Sequence, residues 1–98
     1  MSSPSGARRA RPSMAQVIGG ARRELEQLTS RPVDSVTSVQ RDGEGWVLEL
    51  EVVELERIPA STSVLGSYRV DVDGDGHIAG YERTHRYYRN QASEGELP

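Results

Sequence analysis

The 98-residue sequence contains no cysteine, no phenylalanine and no lysine, so all 12 of its basic residues are arginine. The missing cysteine excludes disulfide scaffolds, thiol catalysis and thiolate metal sites. The two histidines, His77 and His85, are too few for a multi-histidine metal site within one chain. We therefore expect neither thiol chemistry nor a zinc-type metal centre.

Long apolar runs and nucleotide-binding loops are missing as well. No stretch approaches the roughly 18 consecutive apolar residues that a membrane-spanning helix needs, and no apolar segment follows the N-terminal arginines as a secretion signal would require. The sequence has no glycine-rich phosphate loop, and neither histidine has a serine or acid at a spacing that indicates a catalytic triad. We expect a cytoplasmic protein without enzymatic activity, catalytic residues or a cofactor.

Aliphatic residues are few and unevenly distributed. Valine, isoleucine and leucine together number 20, and 19 of them lie between Val17 and Ile78. This distribution predicts a single domain over residues 13–90, between a disordered Arg-rich arm at 1–12 and a disordered tail at 91–98. A core built from so few aliphatics is thin, so a homodimer or a partner protein would help to complete it.

Charge is segregated along the chain, whose formal net charge is −3. Residues 1–31 carry +4, residues 32–82 carry −8 and residues 83–98 carry +1. The negative balance disfavours nucleic acid as a partner. The Arg-rich flanks favour contact with an acidic patch on another protein or on a second copy.

The spacing of apolar residues predicts one helix followed by four strands. The helix runs from Met14 to Leu28 at a period of 3.6, with Ser13 as N-cap in a capping box with Gln16, and Pro32 closes it. Apolar residues then alternate with a period of two, in segments that begin at Val33, Trp46, Tyr68 and Ile78. The predicted fold is α+β, with the N-terminal helix packed on a four-stranded antiparallel β-meander.

The second strand has an irregular apolar phase. Val52 and Val53 are adjacent and Leu55 then continues the apolar series, which predicts a β-bulge at Val52–Val53 that keeps both halves of the strand on one face. The period of two places Glu49 and Glu51 together on the solvent face. Residues 60–66 are expected to form a loop.

Residues 71–82 support two interpretations. Asp73–Gly76 suits a three-residue hairpin loop with Gly76 in the left-handed region, which would pair Val72 with Ile78 and Val70 with Gly80, and would turn Tyr81 away from the core. The same residues match the calcium-loop consensus of EF-hands, whose carboxylates would be Asp71, Asp73, Asp75 and Glu82. The flanking segments have the pattern of strands and not of helices, so the hairpin is preferred and calcium binding is kept as an alternative.

The last predicted strand interleaves arginine with tyrosine between Tyr81 and Arg89. This composition suits stacking and phosphate contacts with single-stranded nucleic acid, and it equally suits a protein interface, where both residue types are frequent hot spots. Cross-strand pairing of Arg83 or Arg86 with the Glu-rich strand is a third interpretation. The negative net charge favours a protein partner.

An ordered series of short motifs runs over about residues 14–90. The motifs are Gly45-Trp46, residues 51–59, Leu65–Tyr68, Val72–Gly76, Gly80–Arg83 and Arg86–Arg89. In this combination the sequence resembles the gas vesicle protein O family. The resemblance implies a non-enzymatic accessory factor in gas vesicle formation, associated with gas vesicles and acting through contacts with the vesicle shell protein and other gas vesicle proteins.

Two alternatives to this function stay open, a nucleic-acid-binding regulator of gas vesicle genes and a calcium-binding module formed by residues 71–82. For the favoured function we expect a partner protein to dock on an exposed surface of the sheet. The residues expected to form that surface are Trp46, Glu54, Arg57, Tyr81, Arg83, Arg86, Tyr87 and Arg89.

Overall fold

The computed structural model describes residues 11–90, which form one helix and one four-stranded antiparallel sheet. The elements are α1 (Met14–Thr29), β1 (Val33–Asp42), β2 (Gly45–Leu55), β3 (Val64–Val72) and β4 (Ile78–Tyr88), with a short 3-10 turn at Ala60–Thr62. The strand order β1-β2-β3-β4 confirms the predicted α+β meander. The predicted tail at 91–98 and most of the predicted arm at 1–12 lie outside the described residues. None of the helices within residues 11–90 has the length and apolar character needed to cross a bilayer.

Local sequence determines both ends of α1. The Ser13 hydroxyl accepts the backbone N–H of Gln16 at 3.1 Å, and the Gln16 side chain accepts that of Ser13 at 2.8 Å, as the predicted capping box requires. At the other end Ser30 adopts the left-handed conformation, with φ of 58°, and its N–H donates to the carbonyl of Glu26. Pro32 prevents the helix from continuing because it disfavours helical geometry at the preceding residue.

Two glutamates attach the helix to both edge strands of the sheet. The Glu24 carboxylate accepts the backbone N–H of Ile78, at the start of β4, at 2.8 Å. The Glu26 carboxylate accepts the backbone N–H of Val33, at the start of β1, at 2.9 Å. Val33 and Ile78 are the first residues of the two edge strands and lie at opposite ends of the sheet, so these two bonds attach α1 to both edges. Most residues in the second half of β4 are exposed.

The core lies between α1 and one face of the sheet, here called the helix side. Val17, Ala21 and Leu25 of α1 are fully buried, whereas Met14 and Leu28 at the ends of the predicted stripe are about half exposed. The helix is therefore apolar over a longer stretch than the sheet covers. The strand residues of the core cluster are Val33, Trp46, Leu48, Leu50, Val52, Val70 and Val72.

Both edge strands are interrupted by bulges. Asp34 and Thr37 are extra residues in β1, and Ala79 and Thr84 are extra residues in β4. Bulges break the row of unpaired backbone groups that would otherwise attract another strand. The irregular alternation of β1 in the sequence follows from its two bulges.

The predicted bulge in β2 is present but lies further along the strand. Val53 pairs with Leu65 and Leu55 pairs with Val64, so the extra residue is Glu54 and not Val52–Val53. Since directly paired residues share a face of a sheet, Leu55 is on the helix side, as expected. It is nevertheless 44% exposed, so α1 does not cover it. The predicted loop at 60–66 is also shorter than expected, since β3 begins at Val64.

The hairpin between β3 and β4 has the predicted turn and a different register. Gly76 is left-handed with φ of 92°, its N–H donates to Asp73 at 3.0 Å, and Val72 pairs with Ile78. The extra residue Ala79 then shifts the pairing, so Val70 pairs with Tyr81 and not with Gly80. The prediction that Tyr81 faces away from the core was therefore wrong, because it assumed that the pairing continues beyond Ile78 without an extra residue.

Two strand glycines provide a test of this packing. A methyl group at Gly45 would overlap the carbonyl oxygen of Val72, which is backbone and cannot move aside, whereas a methyl group at Gly80 would meet nothing within 4 Å. We expect Gly45→Ala to lower the free energy of unfolding by about 2 kcal/mol or more. Gly80→Ala should change it by less than about 0.5 kcal/mol. Urea denaturation followed by tryptophan fluorescence measures both, and equal losses in the two variants would contradict the register described above.

Candidate interaction surface

One corner of the helix side is left uncovered by α1, and four of the eight predicted interaction residues lie there, namely Glu54, Arg57, Arg83 and Arg86. We call it the open corner. It is formed by the end of β2, the beginning of β3 and the end of β4, which the register brings side by side. Paired residues on its helix side include Leu55 with Val64, Tyr68 with Arg83, and Gly66 with Arg86.

The centre of the open corner is the carboxylate of Glu54, whose side chain is only 4% exposed. The Tyr68 hydroxyl donates to Oε2 of Glu54 at 2.7 Å. Arg83 Nη1 lies 3.2 Å from Oε1 of Glu54, and Arg86 Nε lies 3.3 Å from the same oxygen. The backbone carbonyl of Glu54 also accepts a hydrogen bond from the guanidinium of Arg31. A buried carboxylate thus has three side-chain donors, as a charge in this position requires.

Gly66 makes room for this arrangement. A Cβ atom at position 66 would lie 2.6 Å from Oε2 of Glu54 and 3.1 Å from the Tyr68 ring. The carboxylate therefore occupies the space that a side chain on β3 would fill. The extra residue in β2 and the missing side chain in β3 together allow Glu54 to reach its three partners.

A second polar cluster lies behind the open corner, on the opposite face of the sheet, here called the open face. Tyr87 pairs with Leu65 and Ser67 pairs with Glu51 on that face. The hydroxyl of Tyr87 donates to Glu51 Oε1, and that of Ser67 donates to the same carboxylate at 2.9 Å. Arg86 and Tyr87 are neighbours in a strand and so point to opposite faces. The predicted Arg/Tyr surface is thus divided between two faces.

Arg89 connects the two edges of the sheet behind the open corner. Its Nη2 lies 3.2 Å from Asp34 Oδ1 of β1, and its backbone N–H donates to Ser63 at 2.8 Å. Its side chain is therefore engaged within the protein.

The side chain of Arg57 differs from that of Arg89. Within residues 11–90 the Arg57 guanidinium makes no hydrogen bond or ion pair, and only the backbone N–H of Arg57 is bonded, to the Ser63 hydroxyl at 3.0 Å.

The two remaining predicted residues lie away from Glu54. Trp46 is buried in the core at the hairpin end of the sheet, with the Arg41 guanidinium 4.7 Å from its ring centroid. The strand alternation that marked Trp46 as apolar also turns it inwards, so the structure does not bring it to the open corner. Tyr81 borders the corner, with its ring centroid 6.2 Å from that of Tyr68.

The carboxylates of Asp71 and Asp73, two of the four in the calcium alternative, are engaged within this fold. Asp73 accepts the backbone N–H groups of Asp75 and His77, both at 3.0 Å, and these bonds to the charged form, that of His77 first, lower the pKa of Asp73. Asp71 Oδ1 lies 3.5 Å from Arg69 Nη2. Glu82 lies opposite Arg69 in the pairing of β3 with β4. Within residues 11–90, no three histidine or carboxylate side chains are grouped so that they could hold a metal ion.

Tyr68, Glu51 and Ser63 are not among the interaction residues predicted from the sequence, although each of them supports the candidate surface. Tyr68 completes the Glu54 cluster, Glu51 holds Tyr87, and buried Ser63 bonds the backbone of both Arg57 and Arg89. The contacts of Glu51 and Ser63 depend on strand register and chain reversal, for which the local sequence carries no signal. The period of two could have placed Tyr68 on the face of Leu50, because both are in regular stretches of their strands.

Comparison with known proteins assigns the chain to a family. The sequence model of the gas vesicle synthesis protein GvpO family matches residues 2–93. The chain belongs to this family. Curated relatives are gas vesicle protein O of a Streptomyces species, 42% identical over 83% of this chain, and gas vesicle protein O1 of Halobacterium salinarum, 31% identical over 76% of it. The chain spans less than two thirds of their length, 63% and 62% respectively. No solved structure matches the chain.

The Glu54 cluster of this GvpO-family chain can be tested by removing one charge. Glu54→Gln keeps the shape of the side chain but leaves two guanidinium groups without their anion. We expect the free energy of unfolding to fall by about 1–3 kcal/mol. Glu49→Gln, an exposed residue of the same strand, is the matched control and should change it by less than about 0.5 kcal/mol. Equal effects in urea denaturation would show that Glu54 is no better held than a surface glutamate.

The two tyrosine–carboxylate pairs predict an alkaline titration. Burial, followed by the hydrogen bond to Glu54, raises the pKa of Tyr68, and burial together with Glu51 raises the pKa of Tyr87. Both pKa values lie above the ordinary tyrosine value of 10.0. The free energy of unfolding that the two pairs contribute is therefore complete below pH 10, and it is lost as the pH rises through the pKa values of the folded protein. Absorbance at 295 nm should show that part of the tyrosine ionises above pH 10, and this part should be smaller in Tyr87→Phe. Glu54→Gln should lower the pKa of Tyr68 only in part, since burial remains. A titration in which every tyrosine of the folded protein ionises near pH 10 would contradict both pairs.

Proposed function

We propose that this chain is a non-enzymatic accessory factor in gas vesicle formation and that it acts by binding the vesicle shell protein or another gas vesicle protein. Membership of the gas vesicle synthesis family supports the biological process. The observation that supports the mode of action is the open corner, where a nearly buried Glu54 holds two arginines whose side chains remain 46% and 56% exposed.

This geometry suits binding better than catalysis. The carboxylate of Glu54 is already bonded to three side chains, so it orients donors and has no free position for a substrate. Arg83 and Arg86 are long and flexible in isolation, and an arginine fixed before binding loses less conformational entropy when a partner arrives. Fixed, half-exposed arginines beside tyrosines have the character of interface hot spots.

The same geometry favours a protein over single-stranded nucleic acid. A stacking surface needs several aromatic rings on one face beside cations that are free to meet phosphates. Tyr87 faces away from Tyr81 and Tyr88, and its hydroxyl is bonded to Glu51.

Capture of purified gas vesicle proteins tests the proposal. The tagged full chain is incubated with the shell protein and, separately, with each accessory protein of a gas vesicle gene cluster. We expect wild type to retain at least one of them and Arg83→Gln/Arg86→Gln to weaken that binding by about tenfold or more, at roughly 1–2 kcal/mol for each hot-spot arginine.

Arg23→Gln/Arg69→Gln is the matched control, since it removes the same charge from exposed positions outside the open corner. Thermal denaturation of both double variants confirms that each is folded under the binding conditions. The proposal fails if wild type retains no gas vesicle protein, or if it binds RNA or single-stranded DNA at low salt more tightly than any of them.

A further inference from the structure

A shallow notch of about 300 Å³ lies at the outer edge of the open corner. We call it the end notch. It is lined by Leu55, Arg57, Val64, Arg86, Tyr87 and Tyr88. It is distinct from the Glu54 cluster, with which it shares only Arg86.

The floor of the end notch is apolar and unusually accessible. Val64 pairs with Leu55 on one side and with Tyr88 on the other, so the three side chains form a row across the sheet. Val64 is nearly buried, whereas Leu55 and Tyr88 are each 44% exposed. Ile58, next to the notch residue Arg57 in sequence, is fully exposed. Exposed apolar side chains grouped in this way mark a binding surface more often than scattered ones do.

The rim of the end notch is cationic. Arg86 is held in place by Glu54, whose own carboxylate is almost inaccessible. Arg57 is exposed, and its guanidinium has no partner within residues 11–90. An incoming carboxylate would therefore meet one arginine that is already oriented and one that has no ion pair to give up within residues 11–90.

We propose that the end notch binds a segment of a partner protein in which an aliphatic or aromatic side chain is flanked by carboxylates. The apolar side chain would cover the row formed by Leu55, Val64 and Tyr88, and the carboxylates would pair with Arg57 and Arg86. The inference rests on the proposed function, that this chain acts through protein contacts, and it adds the chemistry that the partner presents.

The size of the notch limits what enters it. A volume of about 300 Å³ is at the lower end of ligand sites and accommodates one or two side chains. The segment is thus an anchor within a larger contact that extends over Arg83. A short peptide alone is expected to bind weakly, and charge complementarity should determine its specificity.

Nuclear magnetic resonance titration of the ¹⁵N-labelled full chain tests the notch directly. The probe is a blocked six-residue peptide with two central leucines and two glutamates on each side. Matched peptides replace the glutamates by lysine or the leucines by serine. We expect the amide shifts of Leu55, Val64 and Tyr88 to move with the first peptide, and each matched peptide to bind at least about tenfold more weakly.

Charge reversal and a polar substitution within the notch should abolish this preference. Arg57→Glu and Leu55→Asp are expected to lower the affinity for the first peptide by about tenfold or more. The controls are Arg23→Glu and Leu28→Asp, which make the same changes at exposed positions on α1. Shifts centred elsewhere, equal binding of all three peptides, or equal effects of notch and control variants would overturn the inference.

The capture assay separates this inference from the proposed function. If wild type and Arg57→Glu retain the same gas vesicle protein equally well, the end notch is not its anchor, although the proposed function stands. If wild type retains none while the glutamate–leucine peptide still binds at the notch, the proposed function fails. Sedimentation of wild type alone tests a second copy as occupant, and self-association that Arg57→Glu removes would overturn the assignment to a partner.

Discussion

The arrangement of side chains at the open corner depends on the burial of the Glu54 carboxylate. One extra residue in β2 and the absence of a side chain at Gly66 allow this carboxylate to lie over β3, where Tyr68, Arg83 and Arg86 converge on it. A charge at this depth is stable only while its donors are present. Three strands are therefore joined by side chains at the place where α1 supplies no apolar cover. At the open corner the Glu54 cluster holds the strands together, whereas over the rest of the helix side the strands pack against α1.

The elements that follow from local physical chemistry could be read from the sequence. Ser13 and Gln16 begin the helix, Gly76 forms the hairpin turn, and the alternation from Trp46 to Val52 defines a half-buried strand. The bulges could not be read in this way. Asp34, Thr37, Ala79 and Thr84 are ordinary residues whose extra positions are determined by how whole strands align. The misplacement of Tyr81 came directly from one of them, since a single extra residue turns every later side chain to the other face.

The candidate site was predictable in part for the same reason. The Arg/Tyr composition of the last strand and the family motifs indicated Arg83, Arg86 and Glu54, and cross-strand pairing brings these three together. Composition could not separate Arg86 from Tyr87, although adjacent residues of a strand must face opposite ways. It also gave Trp46 the same weight as an exposed residue, whereas the core needs that side chain. The pairing of Arg83 and Arg86 with Glu54 follows from charge, whereas the positions of Tyr87 and Trp46 follow from strand register.

The charge segregation of the sequence becomes a difference between the two faces of the sheet. The open face carries Glu49, Glu51, Asp71 and Glu82 with Arg69, whereas the open corner on the helix side exposes Arg57, Arg83 and Arg86 around a hidden Glu54. A chain with a net charge of −3 thus has a local cationic surface next to exposed apolar side chains. Long-range repulsion from the acidic face and attraction at the corner would orient an acidic partner before contact. Because α1 leaves this corner uncovered, and because Glu24 and Glu26 attach α1 to the first residues of β4 and β1, the position of the candidate surface follows from how the helix is attached.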